Sequence, residues 1–358
     1  MVGFQALLRS FLSNILNADL LHIALNSDIL ENDILNISPS ILQELLKDHS
    51  ATRATFTPEQ VKAGQQVNIF WATDIYEQRY GVGNGYDYHD PITIEKVTGE
   101  NGNVVQPRVN KTKEEQEKRS RDRAEVFTPS WICNKQNNLI DNAWFGRENV
   151  FNTEIDNPDG THDWQSTIGK IVFPNDPKKS WSKYVSDTRL EITCGEAPYL
   201  VSRYDTITGD FIPLNKRIGL LDRKLRVVNE NVDEEQKWWY YTQRAFQSTY
   251  GFDWQGDNVL LAREALFFTF IEYFIDKFDK EPSKDKLQKI AYIVSWNIWQ
   301  MDGLKFVVPE SGELSDLNIL FAEKKPIPCL VRDWFSSDKN TGKSYTDLPF
   351  YQLIASTK

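Results

Sequence analysis

The stretch that decides the predicted fold is LEITCGEAPYL, residues 190–200. Its first residues have the composition of an apolar β-strand, and the small residues after Cys194 predict a turn that leads into a helix. Gly195 in such a turn allows the backbone to approach a ligand closely at the carboxyl edge of a sheet. We therefore expect a ligand site at this turn.

Two further predicted strand ends follow in the sequence. Residues 249–254, TYGFDW, end in Asp253, and an acid at a strand end can accept hydrogen bonds from both hydroxyls of a ribose. Residues 293–304, IVSWNIWQMDGL, place Met301 and Asp302 beside another strand end, where a thioether and an acid suit an adenine ring and its amino group. Taken singly, an ordinary turn, a helix cap or a solvated loop acid explains each stretch equally well.

Periodicity predicts a helical and mixed N-terminal segment, residues 1–110, before an α/β domain, residues 111–358. Apolar residues recur at helical spacing within residues 4–48, and short strand-like runs follow at residues 67–71, 92–97 and 104–109. Residues 111–123 alternate basic and acidic side chains, which predicts an exposed helix with i,i+4 ion pairs. From residue 186 onward strand-like and helix-like segments alternate, which favours a sheet with helices on its faces.

Bulk composition excludes several classes of protein. The 358 residues are 40% hydrophobic, which is enough for a full core, and the formal charge of −10 argues against a free-standing DNA binder. The three cysteines lie far from one another and from the four histidines, which argues against a zinc cluster. Charged residues interrupt the Leu- and Ile-rich N-terminus, so we expect a cytoplasmic protein without a membrane span or signal peptide.

A fourth stretch, EVFTP at residues 125–129, precedes a predicted helix with Ile132, Leu139 and Ile140. The order of the four stretches resembles the N6-adenine DNA methyltransferases, in particular the modification subunits of restriction–modification systems. In that family a Phe-Thr-Pro stretch precedes a glycine-containing loop for S-adenosyl-L-methionine (SAM), a ribose-binding acid and an Asn-Ile-x-x-x-Asp-x-Leu stretch. The resemblance covers roughly residues 118–335.

The resemblance implies a Rossmann-like SAM-dependent methyltransferase sheet with SAM as its cofactor. It implies that SAM contacts Phe127, Thr128, Pro129, Glu191, Cys194, Gly195, Asp253, Trp254, Met301 and Asp302. The loop departs from the family pattern at Ile192, Ala197 and Pro198. Ala197 replaces the second glycine, so a positive φ at this position would cost about 1 kcal/mol or more.

The methyl-transferring tetrapeptide of the family, Asn/Asp-Pro-Pro-Tyr/Phe, does not occur in the sequence. Within PCLVRDWF, residues 328–335, Asp333 and Trp334 follow a predicted strand and are the candidate catalytic pair. A strand-end acid beside packing aromatics explains these residues as well. DLPFY, residues 347–351, is closer to the tetrapeptide of the family in residue types, but it lies later in the chain than the expected position.

The predicted function is therefore transfer of a methyl group from SAM to adenine N6 in duplex DNA, with a specificity or restriction subunit as a partner. The alternative is a catalytically degenerate relative that binds SAM, DNA or a protein partner in a defence or counter-defence system. A third hypothesis is a magnesium-dependent nuclease, because Glu323-Lys324-Lys325 follows Asp316.

Overall fold

The computed structural model describes residues 31–123, 128–312, 325–337 and 344–355. In this part of the chain helices surround several small sheets, so the protein belongs to the mixed α/β class. Some residues that carry predictions lie outside the described residues, namely Phe127, Asp316, Glu323, Lys324 and the predicted helical positions before residue 31.

The N-terminal segment consists of short helices and one two-stranded antiparallel sheet, β1 with β2. Its elements are α1 Glu31–Ile37, α2 Pro39–Leu46, β1 Lys47–Asp48, α3 His49–Thr55, α4 Pro58–Lys62, β2 Val67–Asn68, α5 Ile75–Tyr80 and α6 Ile94–Val97, and α7 Lys113–Arg123 follows the segment. The helical spacing predicted here is confirmed in α2, whose apolar side chains Ile41, Leu42, Leu45 and Leu46 are all fully buried.

Two of the strands predicted in this segment are wrong. Residues 92–97 contain the helical turn α6, and residues 104–109 contain no strand. Their branched side chains Ile92, Val97, Val104 and Val105 are buried in the core. Enrichment in branched residues reports burial as much as strand formation, because β-propensity largely measures packing.

The predicted charged helix α7 is present, but it is not simply a solvated helix. Arg119 is only 1% exposed, and its Nη2 donates to the Asp257 carboxylate at 2.8 Å and to Gln255 Oε1 at 3.1 Å. Burial raises the pKa of Asp257, but the charges of Arg119 and Lys111 outweigh burial and lower it overall. This helix therefore anchors the start of the longest of the described helices, residues 256–278.

The rest of the described chain alternates helices and strands. Its elements are α8 Ser130–Phe145, β3 Asn152–Asp156, β4 His162–Ser166, α9 Trp181–Val185, β5 Arg189–Ile192, α10 Leu220–Asn231, α11 Glu235–Gln247, β6 Thr249–Asp253, α12 Gly256–Phe278, α13 Lys284–Asn297, β7 Ile298–Gln300, β8 Leu330–Asp333, β9 Thr346–Pro349 and α14 Phe350–Ala355. α12 is buried along most of its 23 residues, which makes it the central core helix.

The central sheet contains three parallel strands in the order β5-β6-β7. Leu190 is paired with Tyr250, and Phe252 with Trp299. The strands predicted from residues 190–194 and 249–253 are thereby confirmed. A larger Rossmann-like sheet is not evident in the described residues, where β3–β4 and β8–β9 form separate antiparallel pairs.

None of the described helices has the length and apolar character needed to cross a membrane.

Candidate cofactor site at the carboxyl edge of the sheet

The ends of β5, β6 and β7 meet at one edge, because parallel strands share their direction. The backbone N–H of Cys194 donates to Phe252 O at 2.8 Å, and that of Gly195 donates to Asp253 Oδ2 at 2.9 Å. The backbone N–H of Met301 donates to Asp253 O at 2.9 Å. The structure thus brings together four of the predicted cofactor residues, which belong to three separate stretches of sequence.

The loop after β5 has an unusual backbone. Thr193, Gly195 and Ala197 have φ angles of +51°, +53° and +61°. Only glycine adopts this left-handed region without a steric penalty. The conformation that a glycine would favour at residue 197 is therefore retained by an alanine, whose side chain is fully buried.

Replacing Thr193 with glycine is expected to raise the free energy of unfolding by about 0.5–1 kcal/mol, because glycine relieves the penalty of a β-branched residue at positive φ. Thr193 is exposed, so no buried contact is lost. The matched control is Thr188→Gly, an exposed threonine without positive φ, which should destabilise the protein. Urea denaturation measures both variants, and an equal loss of stability in the two would refute strain at Thr193.

The residues that precede and begin α8 are attached to the chain that follows this loop. The backbone N–H of Ser130 donates to Asp205 Oδ2 at 2.8 Å, and Thr206 Oγ1 donates to Thr128 O at 2.9 Å. Asn137, inside α8, donates to Tyr199 O at 3.0 Å. The structure therefore attaches Thr128 and Ser130 to residues 205 and 206, and α8 to Tyr199, all of which follow Gly195 in the chain.

Glu191 lies on the buried face of β5, with 9% of its surface exposed. Its Oε1 accepts a long hydrogen bond of 3.4 Å from the Tyr199 N–H, whereas no described residue donates to Oε2. Burial raises the pKa of the Glu191 carboxyl well above its usual range, and the negative charge of Asp253 raises it further. A buried acid with a free acceptor atom suits a ligand that brings a positive charge or a donor.

The Asp253 carboxylate connects the loop to the first turn of α12. Its Oδ1 accepts the Gln255 N–H at 3.0 Å and Asn258 Nδ2 at 3.4 Å, and its exposed fraction is 7%. Asp302 has a similar local role, because its Oδ1 accepts the Leu304 N–H at 2.9 Å and the Lys305 N–H at 3.1 Å. Both acids therefore hold the backbone of the edge in place.

The predicted adenine-pocket residues Trp254 and Met301 differ in exposure. Met301 is 1% exposed, and its Sδ lies 3.3 Å from Trp299 Nε1, so the thioether packs in the core. Trp254 is partly exposed, and its Nε1 donates to the Tyr88 hydroxyl at 3.0 Å. An aromatic residue of the N-terminal segment therefore borders the edge at Trp254.

Backbone atoms of the N-terminal segment form hydrogen bonds with residues at this edge, which was not predicted from the sequence. The Gln300 side chain donates to Phe70 O at 2.9 Å and to Trp254 O at 2.8 Å, and it accepts the Phe70 N–H at 3.1 Å. The Gly256 N–H donates to Trp71 O at 3.2 Å. The only local signal is an amide within an otherwise apolar strand, which must find partners when buried.

The structure does not bring the candidate catalytic pair to this edge. Trp334 Nε1 donates to Asn297 Oδ1 at 2.8 Å, and the Tyr250 hydroxyl donates to Arg332 O at 2.9 Å. These contacts place Asp333 and Trp334 at the amino ends of β6 and β7. The five residues of β6 span roughly 13 Å, so the pair lies at the opposite end of the sheet from Asp253.

The described residues contain no group of three or more His, Cys, Asp or Glu side chains that could hold a metal ion.

No family model, curated protein or solved structure significantly matches this chain.

Proposed function

We propose that this chain binds SAM at the carboxyl edge of its parallel sheet, as a methyltransferase-like protein of a DNA-modification or defence system. The observation that carries the proposal is the junction of the strained loop after β5 with the Asp253 carboxylate, through the Gly195 N–H. A strand-end acid next to a loop whose backbone can approach a ligand is a common arrangement for a nucleoside.

The chemistry of the edge supports SAM among nucleosides. Asp253 would accept hydrogen bonds from the ribose hydroxyls, and Trp254 with Asp302 would border the adenine. The amino group of the methionine part of SAM is cationic, and Glu191 Oε2 is a buried acceptor without a described donor. Binding of this cation would favour the ionised carboxylate, which compensates for its burial.

Adenine-N6 methyl transfer in duplex DNA is the activity that the resemblance implies for such a site. The reaction needs groups that hold a flipped base beside the SAM methyl and accept its amino hydrogens. Because Asp333 and Trp334 lie at the other end of the sheet, they do not supply these groups in this conformation. This separation favours the second candidate, a SAM-binding relative that transfers no methyl group unless another chain completes the site.

The experiment is calorimetric titration of the purified protein with SAM, with methionine and ATP as control ligands. We expect saturable binding of SAM that neither control reproduces at the same concentration. Incubation with radiolabelled SAM and mixed-sequence duplex DNA then separates the two candidates. Label on adenine would establish the methyltransferase, binding without label would favour the non-catalytic relative, and absence of SAM binding would refute the proposed function.

A further inference from the structure

In the described part of the chain only β6 pairs with β5, along its inner edge, so the outer edge of β5 has no paired strand there. The backbone N–H of Arg189 donates inward to Ser248 O at 2.9 Å. Because N–H groups alternate in direction along a strand, those of Leu190 and Ile192 point outward. An edge of this kind offers ready-made partners to another extended segment.

One face of the same strand is apolar and exposed. Leu190 is 39% exposed and Ile192 is 66% exposed, whereas Arg189 and Glu191 on the opposite face are buried. The exposed apolar surface continues to Phe335, which is 45% exposed and lines the same cavity as Leu190. A partner strand with apolar residues at alternate positions would cover this surface while it pairs with the edge.

A cavity of about 210 Å³ opens beside this face, lined by Leu190, Tyr250, Trp299, Asp333, Phe335 and Phe350. It is smaller than the roughly 300–1,000 Å³ of pockets that bury drug-sized ligands. Its walls are mostly apolar, so it suits one large apolar side chain rather than a cofactor. The Asp333 carboxylate adds a negative charge to the lining.

We propose that β5 accepts an extended segment of a different protein as an added strand, with one apolar side chain in this cavity and a Lys or Arg beside Asp333. Main-chain hydrogen bonds would supply affinity and the cavity would supply specificity, as in other cases of strand addition. Ile192 adjoins the proposed SAM residues Glu191 and Cys194, but the cavity reaches Asp333 at the amino ends of β6 and β7, so the inference does not depend on SAM binding.

Charge favours a different protein over a second copy of this chain. The formal net charge is −10, and the cavity lining contains Asp333. Two copies would bring like charges together, which costs free energy, whereas a basic partner would be attracted. A cation is also the group that complements a carboxylate beside an apolar cavity.

The test is selection of a random dodecapeptide library on the purified protein, without SAM. We expect enriched peptides to carry apolar residues at alternate positions and at least one Lys or Arg. Binding of a fluorescent enriched peptide should weaken at least tenfold in Ile192→Lys. It should be unchanged in the matched control Ile207→Lys, because Ile207 is 51% exposed and lies outside β5 and the cavity lining. Hydrogen exchange should show protection of the Leu190 and Ile192 amides by the peptide.

Three results would overturn the proposal. The first is the absence of an enriched peptide pattern, and the second is equal affinity of the enriched peptide for Ile192→Lys and the native protein. The third is a concentration-dependent dimer in sedimentation that Ile192→Lys abolishes, which would assign the edge to a second copy. Loss of SAM binding with retained peptide binding would refute only the proposed function, so the two failures are distinguishable.

Discussion

Replacing Glu272 with glutamine is expected to lower the free energy of unfolding by about 3–5 kcal/mol, because it removes a buried anion that pairs with two buried cations. Glu272 lies in α12, and its Oε1 accepts from Arg203 Nη2 at 2.9 Å. Its Oε2 lies 2.5 Å from Arg217 Nη1. Both guanidinium groups are at most 1% exposed, so water cannot replace the lost charge. Chemical denaturation at pH 7 measures the loss.

Glu235→Gln is the matched control. Glu235 also contacts two cations, Lys280 and Lys286, but its side chain is 30% exposed and that of Lys280 is 56% exposed. Solvent screens such a pair, so the same substitution should cost less than about 1 kcal/mol. Equal losses in the two variants would show that burial does not determine the contribution of Glu272.

The loss in Glu272→Gln should also depend on pH. Burial raises the pKa of Glu272, but the charges of Arg203 and Arg217 outweigh burial and lower it overall. A pKa that is lower in the folded state gives stability above the pKa of the unfolded state, and this stability is lost as the pH falls through the folded value. The difference between variant and native protein should therefore shrink in acid. A constant difference down to pH 3 would contradict this assignment.

Local pattern was sufficient for the strand ends of the candidate site. Residues 190–194 and 249–253 combine an apolar run with a terminal acid or small residue, and both runs form parallel strands. The family resemblance implied that Gly195 and Asp253 contact the same cofactor, and in the structure the Gly195 N–H donates to the Asp253 carboxylate. The two residues meet because parallel strands of one sheet end on the same side.

The position of Asp333 could not be predicted in the same way. An apolar run that ends in an acid predicts a strand, but it does not show which sheet the strand joins or in which direction it runs. β8, which ends at Asp333, pairs antiparallel with β9 instead of joining the central sheet. Arg332 sets this arrangement: its guanidinium stacks 3.8 Å from the Trp296 ring and 3.6 Å from the Tyr345 ring, and it donates to both carboxylate oxygens of Asp347. These partners are separated by up to 51 residues, so no local window contains them.

The contacts of the N-terminal segment with this edge could not be predicted from the sequence either. Its contacts with the edge are made by backbone atoms of Phe70 and Trp71 and by the hydroxyl of Tyr88. Backbone contacts leave no signature in residue type, and a tyrosine is equally compatible with a core position. Only the assembled fold shows that this segment borders the proposed SAM site.

Replacing Asp253 with asparagine is expected to weaken SAM binding roughly 10- to 100-fold, because hydrogen bonds from ribose hydroxyls to a carboxylate contribute about 1.5–3 kcal/mol. Asparagine keeps one oxygen of nearly the same shape, so it can still accept from the Gly195 N–H or the Gln255 N–H. The fold should therefore survive, which thermal unfolding checks, while calorimetric titration measures the affinity for SAM.

The matched control is Asp176→Asn. The Asp176 carboxylate accepts the N–H of Lys178, two residues later, at 2.8 Å, and Asp253 accepts that of Gln255 in the same way at 3.0 Å. Asp176 lies outside the predicted cofactor residues, so its variant should bind SAM like the native protein. If Asp253→Asn folds and also binds SAM unchanged, Asp253 serves only to hold the loop and α12 together, and the ribose contact must be assigned to another residue. If SAM affinity falls only in Asp253→Asn and both variants unfold at the temperature of the native protein, lost stability does not explain the weaker binding.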